Sequence, residues 1–267
     1  MPSGKKTVRM RMRNEHGRKV SGLFDRIAGW YDFLNHFLSL GQDMIWRKRL
    51  MRHVRSEKDG VILDLAAGTL DVSREVGKTF PGAKIVGLDF SLPMLLRGKR
   101  KMAASKKRFL PLMADVVRIP MPDCSVDCAT IAFGIRNVKP RAAAYAEILR
   151  VLKPGGRLCI LEFGSGQNRV WKGVYNFYLN RVLPLIGRLF SRDSGAYSYL
   201  ARSIGHFPPA RALAGEIRSA GFGRVFYYPL CSGIVYVHVA EKLKSAGEKD
   251  DNDPDDDCGQ PHLAQSA

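Results

Sequence analysis

A small-residue turn between two acidic residues has the composition of a nucleoside-binding site. The segment 61–65 is apolar enough to form a buried strand, and it contains Asp64. At Gly68, the lack of a side chain lets the backbone turn tightly and approach a ligand. A second apolar strand ends about twenty residues later in Asp89, and a carboxylate there can accept hydrogen bonds from both hydroxyls of a ribose. The pattern predicts a nucleoside site at the carboxyl ends of parallel strands.

The turn departs from the glycine-rich pattern that binds dinucleotides. That pattern needs three glycines, whereas Ala66 and Leu70 stand where the extra glycines would be and only Gly68 remains. A pyrophosphate would have poor access to such a turn, while a nucleoside without phosphates needs less room. The spacing therefore favours S-adenosylmethionine (SAM) over NAD. Taken alone, the turn is also compatible with a purely structural connection in an α/β protein.

Alternating strands and helices are predicted to position these residues. The predicted strands are 61–65, 85–89, 108–113, 126–133 and 157–163, and the predicted helices are 70–80, 91–104, 140–152 and 208–220. A hairpin of 225–230 and 234–241 closes the pattern. Strands that alternate with helices of this length predict an α/β fold with a parallel sheet.

Two further regions have helical periodicity. Before the first strand, apolar residues in 24–31 recur on one helix face and 44–54 forms a basic amphipathic helix. This N-terminal region could form a lid over the ligand site, or it could simply pack against the domain. After the fifth strand, the aromatic-rich insertion 170–204 is too interrupted to span a bilayer. It could cap an apolar substrate, lie on a membrane surface, or form an ordinary pair of core helices.

The chain is long enough for one domain with two tails. Its 267 residues carry a formal net charge of +18, even though the end of the chain is rich in aspartate. We expect a basic, disordered arm over 1–20, a single α/β domain over 21–243, and an acidic, disordered tail over 244–267.

Charge and composition limit the partners and the compartment. Basic clusters at 5–19, 97–101 and 106–108 are typical of contact with anionic lipid or nucleic acid, although they could also be solvated faces. No apolar run is long enough for a transmembrane helix, and the N-terminus lacks the apolar core of a secretory signal. The five cysteines are too scattered for a disulfide framework or a zinc site. We expect a cytoplasmic protein without a metal, with import as a lesser alternative.

A narrower signature follows the fourth predicted strand. The block Ala132-Phe-Gly-Ile-Arg136-Asn137-Val138 resembles the signature of the C-methyltransferases of menaquinone and ubiquinone biosynthesis. Other blocks of this chain that agree with the family are Phe24-Asp-Arg-Ile-Ala-Gly-Trp-Tyr31-Asp32, Asp64-Leu-Ala-Ala-Gly68-Thr69-Leu-Asp71, Leu88-Asp89-Phe-Ser, Arg150-Val-Leu-Lys-Pro-Gly-Gly156, Leu161-Glu162-Phe163 and Tyr197-Ser-Tyr-Leu-Ala-Arg-Ser-Ile204. Together these blocks span roughly residues 21–243, so that only the tails fall outside.

The resemblance implies a seven-stranded, Rossmann-like methyltransferase fold with SAM as the cofactor. Family cofactor positions correspond to Thr69, to Asp89, and to the pair Asp115-Val116, which would bracket the adenine. We add Asp64 and Gly68 of the turn and Ala132, which stands where some members have a serine. Leu70 is a second departure, since this position beside the turn is usually small in the family.

The resemblance also implies methyl transfer to a ring carbon of a polyprenylated quinol. A ring carbon becomes nucleophilic when an adjacent hydroxyl loses its proton, so the substrate must be the reduced quinol, and the site needs a proton acceptor and a cation for the developing phenolate. We predict Arg136 as this cation, although it could instead be a structural arginine paired with an acid. Asn137 would orient the hydroxyl or a water, with Tyr31 of the lid completing the network. Asp71 could be the base, or it could neutralise the sulfonium or the helix N-terminus.

Several functional alternatives stay open at this stage. The basic surface suggests an RNA methyltransferase, against which no base-flipping motif and no appended RNA-binding module are visible. A non-catalytic binding protein on the same fold is a third possibility, although the joint presence of Asp89, Arg136 and Asn137 argues against it. For the enzyme we expect peripheral contact with the inner face of the membrane and possible homodimer formation. Demethylmenaquinol is the first choice of substrate and the ubiquinone-pathway benzoquinol the second.

Overall fold

A computed structural model describes residues 39–102, 109–164, 202–244 and 262–263, together with residues 22, 25, 36 and 199. The predicted basic arm, the first predicted helix of the lid (24–31, apart from residue 25) with Tyr31, most of the insertion, and most of the acidic tail lie outside the described residues. None of the helices among the described residues is both long and apolar enough to cross a bilayer.

The described residues are organised around one mixed sheet. Its strands are β1 (Val61–Leu65), β2 (Lys84–Asp89), β3 (Phe109–Met113), β4 (Val126–Ala132), β5 (Leu152–Phe163), β6 (Arg224–Leu230), β7 (Val235–Glu241) and β8 (His262–Leu263). Their order is β3-β2-β1-β4-β5-β7-β6-β8. Strands β1 to β5 are parallel, and β7 and β6 form the antiparallel pair. The predicted parallel sheet with a closing hairpin is confirmed, and the two-residue β8 adds to its edge.

Helices cover both faces of this sheet. They are α1 (Gln42–Met51), α2 (Asp71–Thr79), α3 (Leu92–Met102), α4 (Arg141–Val151) and α5 (Ala210–Ser219). Because side chains of a strand point alternately to opposite faces, β1 contributes to two cores. Leu63 packs in the core beneath α4 and α5, whereas its neighbour Ile62 packs in the core beneath α1 and α2.

The fifth strand begins earlier than predicted. We expected it to begin at Arg157 after the Lys-Pro-Gly-Gly turn, but β5 starts at Leu152, which pairs with Val126 of β4. The register then shifts, so that Cys128 pairs with Arg157. Gly155 takes a positive φ of 74°, and this glycine conformation lets the strand continue through the irregularity.

The parallel strands end together at one edge of the sheet. Leu65 of β1 lies opposite Leu88 of β2 and Ile131 of β4, and Asp89 lies opposite Met113 at the end of β3. The loops that follow β1, β2, β3 and β4 therefore meet at this carboxyl edge, where open α/β sheets bind their ligands.

Candidate active site

The turn after β1 holds three residues in the left-handed backbone region. Ala66, Gly68 and Leu70 have φ values of 47°, 52° and 66°. Such a conformation costs a residue with a side chain about 1–2 kcal/mol. The positions that lack the extra glycines of a dinucleotide site thus still adopt a glycine-like backbone. Strain of this kind is concentrated at ligand-binding sites, where the surrounding structure maintains it.

The side chain of Leu70 occupies space that two glycines leave open. A Cβ placed on Gly87 of β2 would lie 2.6 Å from Leu70 Cδ2, and one on Gly98 of α3 would lie 2.6 Å from Leu70 Cδ1. Leu70 is fully buried here and packs with Leu95. The departure from the family's small residue is therefore accommodated by glycines on both neighbouring elements.

Asp64 stabilises the turn by accepting hydrogen bonds from α2 and β4. One of its oxygens accepts hydrogen bonds from the Ser73 backbone N–H at 2.9 Å and the Ser73 hydroxyl at 2.6 Å, and the other accepts the Thr130 hydroxyl at 3.0 Å. Burial raises the pKa of the Asp64 carboxyl to about 6, against the opposing effect of these hydrogen bonds. The carboxylate ties β1 to α2 and β4, so it positions the turn, and direct contact of Asp64 with SAM stays a prediction.

Asp89 has the hydrogen-bond acceptors that a ribose site requires. Its carboxylate oxygens accept the backbone N–H groups of Gly68 and Ser91, each at 2.8 Å. Each oxygen has a second acceptor position, so the same carboxylate can also accept two ribose hydroxyls. Burial raises the pKa of Asp89 to about 6, despite the N–H groups of Ser91 and Gly68. The residues at this position fit the nucleoside of SAM.

Asp71 lies in the first turn of α2 between two cations. Its carboxylate is 2.9 Å from Lys101 Nζ of α3 and 3.7 Å from an Arg47 guanidinium nitrogen of α1. Thr69, buried beside it, donates a long hydrogen bond of 3.4 Å to the same carboxylate. The Asp71 charge is thus already paired, which argues against its role as a base, and neutralisation of the sulfonium or of the helix N-terminus stays a prediction.

The other predicted cofactor residues also lie at the carboxyl edge. Asp115 and Val116 follow β3, where Val116 is buried and one Asp115 oxygen accepts the Val117 N–H at 3.2 Å. Ala132 is the last residue of β4. An acceptor beside an apolar side chain suits an adenine, which offers an amino group and a flat apolar ring.

Arg136 is buried at the end of β4 and paired with an acid. Its Nη1 lies 2.8 Å from Glu162 Oε1 and also donates to the Phe133 carbonyl. The guanidinium carbon is 5.6 Å from the centre of the Phe163 ring. Its Nε is buried and has no hydrogen-bond partner within the described part of the chain. One side chain therefore combines a buried ion pair with a buried N–H that has no partner among the described residues.

The loop that carries Arg136 contacts the cofactor turn, residues 66–70, which follows β1. A Cβ placed on Gly134 would lie 2.6 Å from the Cβ of Ala66, so only glycine allows the two loops to approach this closely. Next to Arg136, the Asn137 side-chain oxygen accepts the Tyr199 hydroxyl at 2.9 Å. Burial raises the pKa of Tyr199, while the nearby Arg136 charge acts in the opposite direction. The predicted partner Tyr31 lies outside the described residues.

Three aromatic rings form an apolar wall beside Arg136. The ring centres of Phe133 and Phe163, at the ends of β4 and β5, are 4.7 Å apart. Trp46 of α1 lies 6.0 Å from Phe133 and 6.3 Å from Phe163, with an edge-to-face contact to the latter. Phe133 has a positive φ of 54°, which is rare for a bulky residue and is typical of strain at a functional site.

Sequence reasoning missed the partners of the predicted residues. Glu162 and Tyr199 lie in blocks that resemble the family, but nothing in their spacing indicates that they contact Arg136 and Asn137. The buried ion pair of Asp43 with Arg47, 2.8 Å long and four residues apart on α1, was also missed. Although burial alone raises the pKa of Asp43, its contacts with His36 and Arg47 lower the pKa below its usual value. An acidic and a basic residue four positions apart in a predicted helix indicate an ion pair, but the sequence does not show that this pair is buried.

Comparison with solved structures identifies the fold. The chain superposes on the [4+2]-cyclase SpnF with a TM-score of 0.63 at 15% identity, covering 86% of this chain and 97% of that one. It superposes on a SAM-dependent methyltransferase from Thermotoga maritima, a possible histamine N-methyltransferase, with a TM-score of 0.60 at 16% identity, covering 83% and 98%. The predicted Rossmann-like methyltransferase fold is confirmed. The fold is that of the class I SAM-dependent methyltransferases.

Sequence comparison specifies the family. Residues 11–242 match the ubiE/COQ5 methyltransferase family, and the chain belongs to it. It is 43% identical over 231 residues to the ubiquinone/menaquinone biosynthesis C-methyltransferase UbiE of Geobacter sulfurreducens, covering 85% of this chain and 90% of the relative. It is 41% identical over 220 residues to the demethylmenaquinone methyltransferase of Thermus thermophilus, covering 82% and 100%. The family resemblance seen in the sequence is confirmed.

Proposed function

We propose that this enzyme transfers a methyl group from SAM to a ring carbon of a polyprenylated quinol in respiratory quinone biosynthesis. The observation that carries the proposal is the buried Arg136 guanidinium, whose Nε lacks a partner among the described residues, next to the cofactor turn. Relatives in ubiquinone and menaquinone biosynthesis support a quinone-pathway substrate. They give no support to the RNA methyltransferase that the basic charge suggested.

The cofactor supplies an activated methyl group, so the protein's task is to position and activate the ring. Asp89 would hold the ribose, with Gly68 and Thr69 in the turn beside it and Asp115 and Val116 at the adenine. Alignment of two bound reactants accounts for a large share of the rate in such a displacement.

Ring activation requires a quinol hydroxyl to release its proton to water, and the methylated ring carbon then releases its own proton to restore the aromatic ring. The permanently charged Arg136 would stabilise the resulting oxyanion through its Nε–H, in a buried setting that strengthens the interaction. Asn137, held by Tyr199 at 2.9 Å, would orient the hydroxyl or a water, and Tyr31 would complete this network. Because its carboxylate already pairs with Lys101 and Arg47, Asp71 would balance the charge of these two residues and would not act as the base.

The wall of Trp46, Phe133 and Phe163 suits the ring of a quinol. Aromatic side chains favour flat, apolar ligands, and edge-to-face or offset contacts stabilise a pair of rings by about 0.5–1.5 kcal/mol. Demethylmenaquinol, with its two fused rings, is our first choice of substrate, followed by the benzoquinol of the ubiquinone pathway. Since a polyprenyl tail is held in lipid, we further propose a cytoplasmic enzyme in peripheral contact with the inner face of the membrane, and we propose that it forms a homodimer.

The test is methyl transfer from labelled SAM to short-chain demethylated naphthoquinols and benzoquinols, each offered reduced and oxidised. Label on a ring carbon of the reduced substrate alone is the expected result, and the preferred ring then identifies the pathway. Absence of label in any quinol, with SAM binding intact, would overturn the proposal. Salt-sensitive RNA binding together with RNA methylation would replace it with the alternative.

A further inference from the structure

Helix α1 presents two unlike faces. Its inner face is buried and includes Leu50 and Trp46, which belongs to the aromatic wall. On the opposite face, Met44 and Ile45 are 52% exposed, and Leu40 just before the helix is 88% exposed. A surface helix of a soluble protein normally directs polar side chains outward. Single exposed apolar residues are ordinary, but three neighbouring ones on one face indicate an interaction site.

Cations follow the apolar residues on the same outer face. Lys48, Arg49 and Arg52 are exposed, and no acidic side chain in the described ranges forms an ion pair with any of them. This contrasts with Arg47 on the inner face, which is paired with Asp43 at 2.8 Å. The outer face thus has an apolar first turn and a basic second turn.

We propose that the outer face of α1, defined by Leu40, Met44, Ile45, Lys48 and Arg49, docks on an anionic lipid bilayer. An interfacial helix buries apolar side chains at the boundary of head groups and acyl chains, while Lys and Arg meet lipid phosphates. The long stems of Lys and Arg allow their charges to reach the head groups when the helix lies flat.

A second copy of the chain fits this surface less well than lipid does. In a two-fold dimer the same patch would face itself, which would bring Lys48, Arg49 and Arg52 of both copies together, and none of them has an acidic partner in the described ranges. Like charges at such an interface are repulsive, whereas anionic lipid neutralises them.

The position of α1 connects this surface to the site, a step that rests on the proposed function. On its inner side, the same helix places Trp46 against Phe133 and Phe163 in the aromatic wall. Because an α-helix with its side chains is about 10 Å across, a quinol ring bound at that wall would lie about one helix thickness from the bilayer. The tail could stay in lipid while the ring is methylated.

The experiment measures co-sedimentation of the full chain with vesicles of phosphatidylcholine, with or without phosphatidylglycerol. We expect binding that requires phosphatidylglycerol and weakens about fivefold for each cation removed in Lys48→Gln and Arg49→Gln. The apolar variant Met44→Gln/Ile45→Gln should also lose binding. Leu243→Gln and Arg211→Gln, at exposed positions elsewhere, serve as matched controls and should bind like the unaltered protein.

A second readout separates this inference from the proposed function. Methyl transfer to a short-chain, water-soluble quinol should be unchanged in the α1 variants, while transfer to a long-chain quinol in vesicles should fall with vesicle binding. Vesicle binding of all α1 variants equal to that of the controls would overturn the inference. A changed oligomeric state in Met44→Gln/Ile45→Gln without altered vesicle binding would also overturn it, in favour of an interface between copies. If vesicle binding follows the expected pattern but no quinol is methylated, the docking surface stands and the proposed function fails.

Discussion

The packing between Leu70 and Gly98 provides a quantitative test of how the cofactor turn is held. In Gly98→Ala, the new Cβ would lie 2.6 Å from Leu70 Cδ1 and 2.8 Å from the Thr69 carbonyl carbon, so the turn must shift. Overpacking of this kind costs about 1–3 kcal/mol, and the better helix propensity of alanine returns about 1 kcal/mol. We expect a net loss of up to about 2 kcal/mol in the free energy of unfolding, together with severalfold weaker SAM binding. Denaturant unfolding and calorimetric titration measure the two effects.

Gly215 of α5 provides the matched control. It is also a helical glycine, but a Cβ there meets nothing within 4 Å. Gly215→Ala should therefore stabilise the protein by about 1 kcal/mol and leave SAM affinity unchanged. Combining Gly98→Ala with Leu70→Ala should recover part of the loss, with a coupling energy of about 0.5–3 kcal/mol. The reasoning would be refuted if Gly98→Ala stabilised the protein as Gly215→Ala does and bound SAM normally.

Further predictions concern Glu162, Tyr199 and Asp89. Glu162→Gln should lower the free energy of unfolding by about 3–5 kcal/mol, because it leaves the buried Arg136 without a counter-charge; denaturant unfolding that matches the unaltered protein would contradict this. Tyr199→Phe should release Asn137 and reduce kcat up to about tenfold, because the lost hydrogen bond corresponds to about 0.5–1.5 kcal/mol. SAM affinity should be unchanged, and a change in SAM affinity alone would argue against a positioning role. Because burial raises the pKa of Asp89 to about 6, SAM affinity should fall as the pH drops below 6, since the carboxylate that we propose to accept the ribose hydroxyls is then protonated. Calorimetry in buffers of different ionisation enthalpy measures this, and Asp89→Asn should show weak binding without that pH dependence.

The sequence was sufficient where local pattern decides the structure. The apolar run of β1 and the acid at the end of β2 predicted both the strands and the edge at which Asp89 lies, because parallel strands place their carboxyl ends together. The positions of Ala66 and Leu70 also revealed a turn that was not of the dinucleotide type, although their left-handed backbone became visible only in the structure.

Long-range packing could not be read in the same way. Glu162 is 26 residues from Arg136, and Tyr199 is 62 residues from Asn137, so no local spacing links either pair. The burial of Arg136 and its pairing with Glu162 depend on how β4 and β5 align, which the sequence does not show. The start of β5 at Leu152 was missed for a related reason, since it depends on pairing with Val126 across a register shift.

The most direct test of the account is the ionisation of a bound quinol hydroxyl, followed by ultraviolet absorption of a short-chain quinol on the enzyme with S-adenosylhomocysteine. Stabilisation of the phenolate by Arg136 predicts that the pKa of the bound hydroxyl lies below its value in solution. Arg136→Met should abolish this shift and reduce methyl transfer about 100- to 1,000-fold, as the loss of an oxyanion donor does elsewhere. An unshifted pKa in the unaltered enzyme, or the same lowered pKa in Arg136→Met, would contradict the account.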